Sequence, residues 1–128
     1  MSIDKREIEQ YLSEVKRSVR SGRYRLDQNT KRQDNVNLFL DYIIDEAKVK
    51  KIILSLTAMD FSKILQNEHK GFEHETLYVF GKDVALLERT GTNKKVVSLY
   101  IKFNKLKNLF VIIISFHEQK YPLTYYFK

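Results

Sequence analysis

The chain contains no cysteine and no tryptophan, one proline and four scattered glycines in 128 residues. Without cysteine there can be no disulfide and no thiolate metal site, so the fold rests on packing and hydrogen bonds alone. Without clustered glycines there is no phosphate-cradling loop of the nucleotide-binding type. No apolar run is long enough to cross a bilayer. The opening MSIDKREIEQ lacks the apolar segment of a signal peptide. These absences predict a soluble, cytoplasmic protein with no membrane partner. Acid is the minority charge: 16 Asp and Glu face 23 Lys and Arg, a formal net charge of +7, with a pI near 9.5. Such a balance favours a polyanionic partner, although solubility alone is the plain alternative.

What is present is enough for one domain spanning residues 1–128, with a hydrophobic share of 43%. The chain is organised around VVSLYIKFNKLKNLFVIIISFH, residues 96–117. Two apolar runs flank Lys107-Asn108, a pattern that predicts an antiparallel hairpin with a two-residue turn. Val97, Leu99, Ile101 and Phe103 share one face, and Ser98, Tyr100, Lys102 and Asn104 the other. The second run is apolar on both faces, as a covered central strand would be. A turn at 107–108 pairs Phe103 with Ile112, Ile101 with Ile114 and Leu99 with Phe116. The opposite face then pairs Tyr100 with Ser115, Lys102 with Ile113 and Ser98 with His117, leaving His117 diagonal to Tyr100 at roughly 7 Å. Between Arg89 and His117 there are six Lys or Arg residues and no acid.

Upstream, Ile8, Tyr11, Leu12, Val15 and Val19 keep helical spacing over residues 3–21, and Gly22 is placed to stop that helix. SGRYRLDQ reads as a turn and a short extended piece. Residues 27–37, DQNTKRQDNVN, are polar without a period and predict a surface loop. Asp45 is placed to cap a helix that buries Val49, Ile52, Ile53 and Leu56. Thr57 and Asp60 resemble a capping box that would start a further helix to about Gln66, burying Phe61, Ile64 and Leu65. TLYVFG, residues 76–81, reads as a strand, with a second short strand expected before the turn at Gly91. Pro122 limits the tail to an edge strand or an extended segment. The sum is an α+β fold: N-terminal helices packed on one face of an antiparallel β-sheet, the other face left for water or a ligand.

Several constellations carry little. His69 and His74, with Glu73 and Glu75, have no helical ligand spacing and no evident third partner, so no metal is assigned. Ser98 and Ser115 lack a nucleophile elbow. What remains is Tyr100, Lys102 and His117, with Lys63 and Lys82 as additions. Such a set suits RNA cleavage without a cofactor. The attacking 2′-hydroxyl must lose a proton and the leaving 5′-oxygen must gain one, and histidine titrates in the range for either step. Lysine can neutralise charge growing on the phosphorane, and tyrosine can stack on a base or donate to phosphate. A sheet face with a few solvated side chains is the competing reading, and spacing does not separate the two.

The motifs themselves resemble a known family. LSEVKRSVRSGRYR (12–25), KKIILSLTAMDFSK (50–63), LYIKF (99–103) and IISFH (113–117) are similar, in order and spacing, to segments of the MqsR toxins of type II toxin–antitoxin systems. The ending SFHEQKYPLTYYFK is similar to the Gram-positive branch. The resemblance implies a RelE-like fold and an mRNA interferase: an endoribonuclease acting without a metal on mRNA and inhibiting translation and growth. It also implies a cognate antitoxin as partner, often one with a zinc-binding domain, and leaves dependence on the ribosome open. Lys63 matches the functional lysine of DF-x-K, and Tyr100 and Lys102 the Y-x-K pair. His117 stands where a lysine follows SF in the best-known member, which gives this chain a true acid–base group there. The family's functional glutamine has no counterpart, since Val79 occupies its place, so Lys82 is the expected substitute. Residues 83–95 look like an insertion. The expected catalytic set is therefore His117, Tyr100, Lys63 and Lys102, with Lys82, Arg89, Lys94, Lys95 and Lys105 attracting phosphates. Two rivals stay open: a non-catalytic single-strand nucleic-acid-binding module, and an antitoxin-like interaction subunit docking through its sheet edge or apolar tail.

Overall fold

The structure is a computed structural model describing residues 2–27 and 33–128. The helical spacing of the N-terminal segment becomes α1, Lys5–Arg20, whose buried stripe includes Ile8, Tyr11, Leu12, Val15 and Val19. Asp4 caps it by accepting from the Arg6 amide at 2.9 Å, and Gly22 ends it in the left-handed region with φ 77°. Next come β1 (Tyr24–Leu26), α2 (Gln33–Asp41) and α3 (Glu46–Leu54). Asp45 caps α3 through the Lys48 amide, and Val49, Ile52 and Ile53 face inward as the sequence requires. A single 3₁₀ turn, Ala58–Asp60, then leads into β2 (Phe61–Gln66), β3 (Thr76–Leu87), β4 (Lys94–Lys105) and β5 (Val111–Glu118).

The sheet order is β1-β5-β4-β3-β2. Three of the four strand pairings are antiparallel, but β1 runs parallel to β5, so the sheet is mixed rather than antiparallel. Tyr78, Phe80, Leu99, Ile101, Phe103 and Phe116 point to the helix-covered side. There Tyr11 stacks on Tyr78 with centroids 3.8 Å apart, and Phe80 meets Phe103 edge-on at 5.7 Å.

Several further expectations need correction. Residues 33–37 are the start of α2 rather than loop, and the remainder of that predicted loop at 28–32 lies outside the described residues. The reason is Asn35, which is 1% exposed. Among the described residues no strand continues along β5 beyond Leu26, and the Asn35 amide takes over: Nδ2 donates to Ile114 O at 2.9 Å, and Oδ1 accepts from Phe116 N at 2.8 Å. Thus α2 closes a sheet edge instead of lying on the face. The capping box at Thr57 and Asp60 forms, but it caps one turn only. Residues 61–66 pair with β3 instead of continuing a helix, leaving Ile64 exposed and Leu65 half-buried. The two strands expected over residues 76–95 are one continuous β3, paired with β4 from Leu77 to Leu87. Of the two forms expected of the tail, edge strand or extended segment, it takes the one without strand pairing after Glu118.

The central hairpin differs most. Its connection spans Leu106–Phe110, with Leu106 N donating to Phe110 O and Leu109 at φ 62°. The Ser18 hydroxyl donates to Leu109 O, and the Arg23 guanidinium donates to Asn108 O. Contacts from α1 and the chain after it therefore hold a longer turn than two residues. The register is also irregular: Phe103 faces Ile113, yet Lys102 faces Ser115, so Ile114 is an extra residue on β5. A matching irregularity lies between Phe61, opposite Phe80, and Lys63, opposite Val79. Each bulge shifts the side-chain alternation by one residue.

Candidate functional site

Those two bulges determine what the uncovered face of the sheet presents. In β2, strict alternation from Phe61 would send Lys63 to the helix side, and the extra residue Ser62 turns it to the other face. In β5, strict alternation from Ile113 would send Ser115 and His117 into the core, and the extra Ile114 turns both outward. The result is a set of rows across the strands. One row is Lys63, Val79, Lys102, Ser115, and the next is Gly81, Tyr100, His117. Lys63 and Lys102 flank the fully buried Val79, their backbones roughly 10 Å apart at the usual strand spacing.

His117 lies directly opposite Tyr100, not diagonal to it, and the rings stack with centroids 5.1 Å apart and planes 8° off parallel. His117 Nδ1 is 2.7 Å from Glu118 O. A carbonyl oxygen only accepts, so Nδ1 carries a hydrogen in that contact and Nε2 is the nitrogen left for proton transfer. Burial pushes the Tyr100 phenol above the ordinary tyrosine range, which keeps it a hydrogen-bond donor.

The C-terminal segment builds the other wall. It continues the β4 ladder as Gln119 N donates to Ser98 O at 2.8 Å, then crosses the sheet toward β2, where Tyr126 N donates to Phe61 O at 3.0 Å. The crossing passes over Gly81. A Cβ there would lie 2.8 Å from Leu123 Cδ1 and 2.9 Å from Gln119 Nε2, so any larger residue would displace the side-chain ends that pack the tail on the sheet. The Ser62 hydroxyl donates to Thr124 O at 2.7 Å, tying the tail to the bulge that aims Lys63. Between tail and sheet is a cleft of about 360 Å³ lined by Lys63, Tyr100, Lys102, Ser115 and His117, with Asp34 of α2 and Lys120–Leu123 of the tail. Tyr121 is 82% exposed at its rim, an aromatic surface with little to cover it.

All four residues expected to carry chemistry therefore share one cleft, and the five expected to attract phosphate stand outside it. Lys82 is on the helix side, its Nζ 3.3 Å from both Ser55 O and Asp60 Oδ2. Arg89 donates to the carbonyls of Phe39, Leu40 and Tyr42, closing the C-terminal end of α2. Lys105 pairs with Glu14 at 2.6 Å beside the Tyr11 ring. Lys94 and Lys95 lie opposite Leu87 and Leu86, with Lys95 about 17 Å along β4 from Tyr100 at the usual rise per residue.

Sequence reasoning missed Asp34, Ser115 and the wall at Lys120–Leu123. Asp34 pairs with Lys120 at 2.7 Å. That hydrogen bond, with His117 contributing charge, holds its carboxyl below the usual carboxylate range. The signal for the wall was the lone proline with its flanking aromatics, YPLTYYF. Among the described residues no group of three or more His, Asp and Glu stands close enough to hold a metal ion, and no helix is long and apolar enough to cross a membrane. Comparisons with protein-family models, with curated proteins and with solved structures returned no match.

Proposed function

We propose that this protein is an endoribonuclease that cleaves mRNA without a metal, the toxin of a type II toxin–antitoxin pair with a RelE- and MqsR-like fold. The observation that carries the reading is the Tyr100–His117 stack in a cleft flanked by Lys63 and Lys102. In this reaction His117 Nε2 takes the proton of the 2′-hydroxyl as that oxygen attacks phosphorus. The Lys63 and Lys102 ammonium groups offset the charge that grows on the phosphorane oxygens, and the Tyr100 hydroxyl donates to one of them. The bond from phosphorus to the 5′-oxygen breaks, and that oxygen takes its proton from the nearer ammonium, which regains one from water. The products are a 2′,3′-cyclic phosphate and a 5′-hydroxyl. Exposed Tyr121 offers a stacking surface for a base beside the cleft. The motif resemblance supports the assignment, and it brings a cognate antitoxin as partner.

The test is incubation with a long, partly single-stranded RNA in EDTA, with product ends identified, beside His117→Ala. Discrete fragments with cyclic-phosphate ends in the parent, lost in the variant, are expected. Cleavage by His117→Ala at the parental rate would sink the assignment. Salt-dependent RNA binding without turnover, on translating ribosomes as well as on bare RNA, would point to a non-catalytic binding face instead.

A further inference from the structure

The cleft is lined by three lysines and one histidine, and Asp34 is the single carboxylate among the described residues that line it. Its partner is Lys120, whose Nζ stands 2.7 Å from Asp34 Oδ2. The pair therefore bridges two walls of the cleft, α2 on one side and the tail on the other. An acid in a cleft that is to receive a polyanion opposes binding unless it can be given up.

Both ends of the bridge stand on fixed backbone. Next to Asp34, the buried Asn35 amide holds Ile114 O and Phe116 N. Next to Lys120, Gln119 donates from its amide to Ser98 O at 2.8 Å and from Nε2 to Leu99 O at 3.0 Å, and it accepts from Leu123 N at 3.1 Å. The bridge itself is open to water: the Lys120 side chain is 64% exposed and that of Asp34 44%. An exposed pair of this kind shifts an equilibrium by about fivefold at most. Asp34 also has a second resting place. It lies in the first turn of α2, where unpaired amides and the helix dipole favour a carboxylate. The mounts are rigid, and the contact between them is weak.

We propose that Lys120 holds a further phosphate of the RNA, a neighbour of the scissile one, and that Asp34 occupies it until RNA arrives, an inference that rests on the ribonuclease reading above. The Asp34 carboxylate stands in for phosphate on the Lys120 ammonium. An entering strand exchanges one oxyanion for the other, and Asp34 turns to the start of α2. Lys120 adjoins Tyr121, whose exposed ring is placed to stack a base beside that phosphate. The exchange also discriminates by length. A lone phosphate gains from Lys120 only what Asp34 already supplies, whereas a strand that reaches Lys63 and Lys102 as well gains from all three.

The test is binding of a short single-stranded RNA in the His117→Ala background, which holds the strand uncut, with Lys120→Ala, Asp34→Asn or Asp41→Asn added and salt varied. Lys120→Ala should weaken binding and lower the slope of log affinity against log salt by about 0.7, one phosphate's share on a single strand. Asp34→Asn should bind about two- to fivefold tighter, the worth of the bridge it removes. Asp41→Asn removes the same charge from the other end of α2, outside the cleft, and should change little. With His117 restored, Lys120→Ala should raise KM at unchanged kcat, since its contact is made equally before and during the reaction. An unaltered salt slope in Lys120→Ala, or Asp34→Asn no tighter than Asp41→Asn, would overturn the proposal while leaving the nuclease standing. A parent that neither cuts nor binds RNA would overturn both.

Discussion

The two faces of this sheet are made by the same strands and do opposite work. On the helix side the aromatic side chains of Phe80, Phe103 and Phe116 are fully buried. The two half-buried lysines of its strands there are met by carboxylates: Lys105 by Glu14 and Lys82 by Asp60. On the other side no helix covers the strands beyond the start of α2 at the cleft rim, and a ten-residue tail crosses at one glycine. There the polar rows of Lys63, Lys102, Ser115, Tyr100 and His117 line a cleft. Strict alternation would have placed Lys63 with the helices and buried His117. Two single-residue bulges reassign them, so the cleft is a product of the sheet's irregularities, while its regular parts make the core.

Breaking that division should produce effects in opposite observables. Lys63→Ala or His117→Ala should lower RNA cleavage by about a hundredfold or more, with little change in thermal midpoint. Lys82→Ala and Lys105→Ala should do the reverse, leaving cleavage near the parental rate and lowering stability. A cleavage loss in Lys82→Ala equal to that in Lys63→Ala would show that the helix-side lysines belong to the site. Next in size is the edge closure. Asn35→Ala strands the buried Ile114 carbonyl and Phe116 amide, and should cost about 2–4 kcal/mol in urea unfolding. A cost near zero would mean that α2 does not act as the missing strand. Gly81→Ala follows, at about 1–3 kcal/mol for forcing a methyl against the tail. It should also weaken cleavage, because moving the tail releases Ser62 and the bulge that aims Lys63.

The sequence was legible where one rule governed locally. The stripe of α1, the Asp45 cap, the box at Thr57 and Asp60, and the alternation of β4 all follow from short-range periodicity. It was illegible where tertiary contacts decided. Gln33–Asn37 carry no apolar period, because Asn35 buries an amide against a strand edge that no local pattern describes. Phe61–Gln66 follow a helix cap yet form a strand, because β3 offers a ladder. The hairpin register failed because two departures, a longer turn and a bulge, each shift it by one residue, and the two shifts together restore the face. His117 was placed on the correct face through an incorrect pairing. Arg89 and Lys105 read as phosphate-binding cations because charge is visible in sequence, whereas the carbonyls and the carboxylate that occupy them are not.

The smallest expected effect separates the faces by their tyrosines. Burial pushes Tyr11 and Tyr78 up on the helix side, and Tyr100 on the cleft side. Tyr42 is raised in the same way, and Tyr24 to about 12, with its bond to Glu46 adding to the burial. An acid whose folded pKa is raised keeps its proton when the unfolded chain has begun to lose it. The unfolded state then binds fewer protons, so stability falls as pH rises past the ordinary tyrosine value near 10. Urea midpoints measured from neutral pH upward should hold and then decline through that range. Tyr100→Phe should soften the decline slightly, since Tyr100 is only half-buried. Tyr11→Phe should soften it more, since its hydroxyl is buried without a hydrogen-bond partner among the described residues and its replacement also removes an unsatisfied polar group. Equal softening by the two would mean that the cleft face is as dry as the helix face, and would leave little room there for a solvated phosphate.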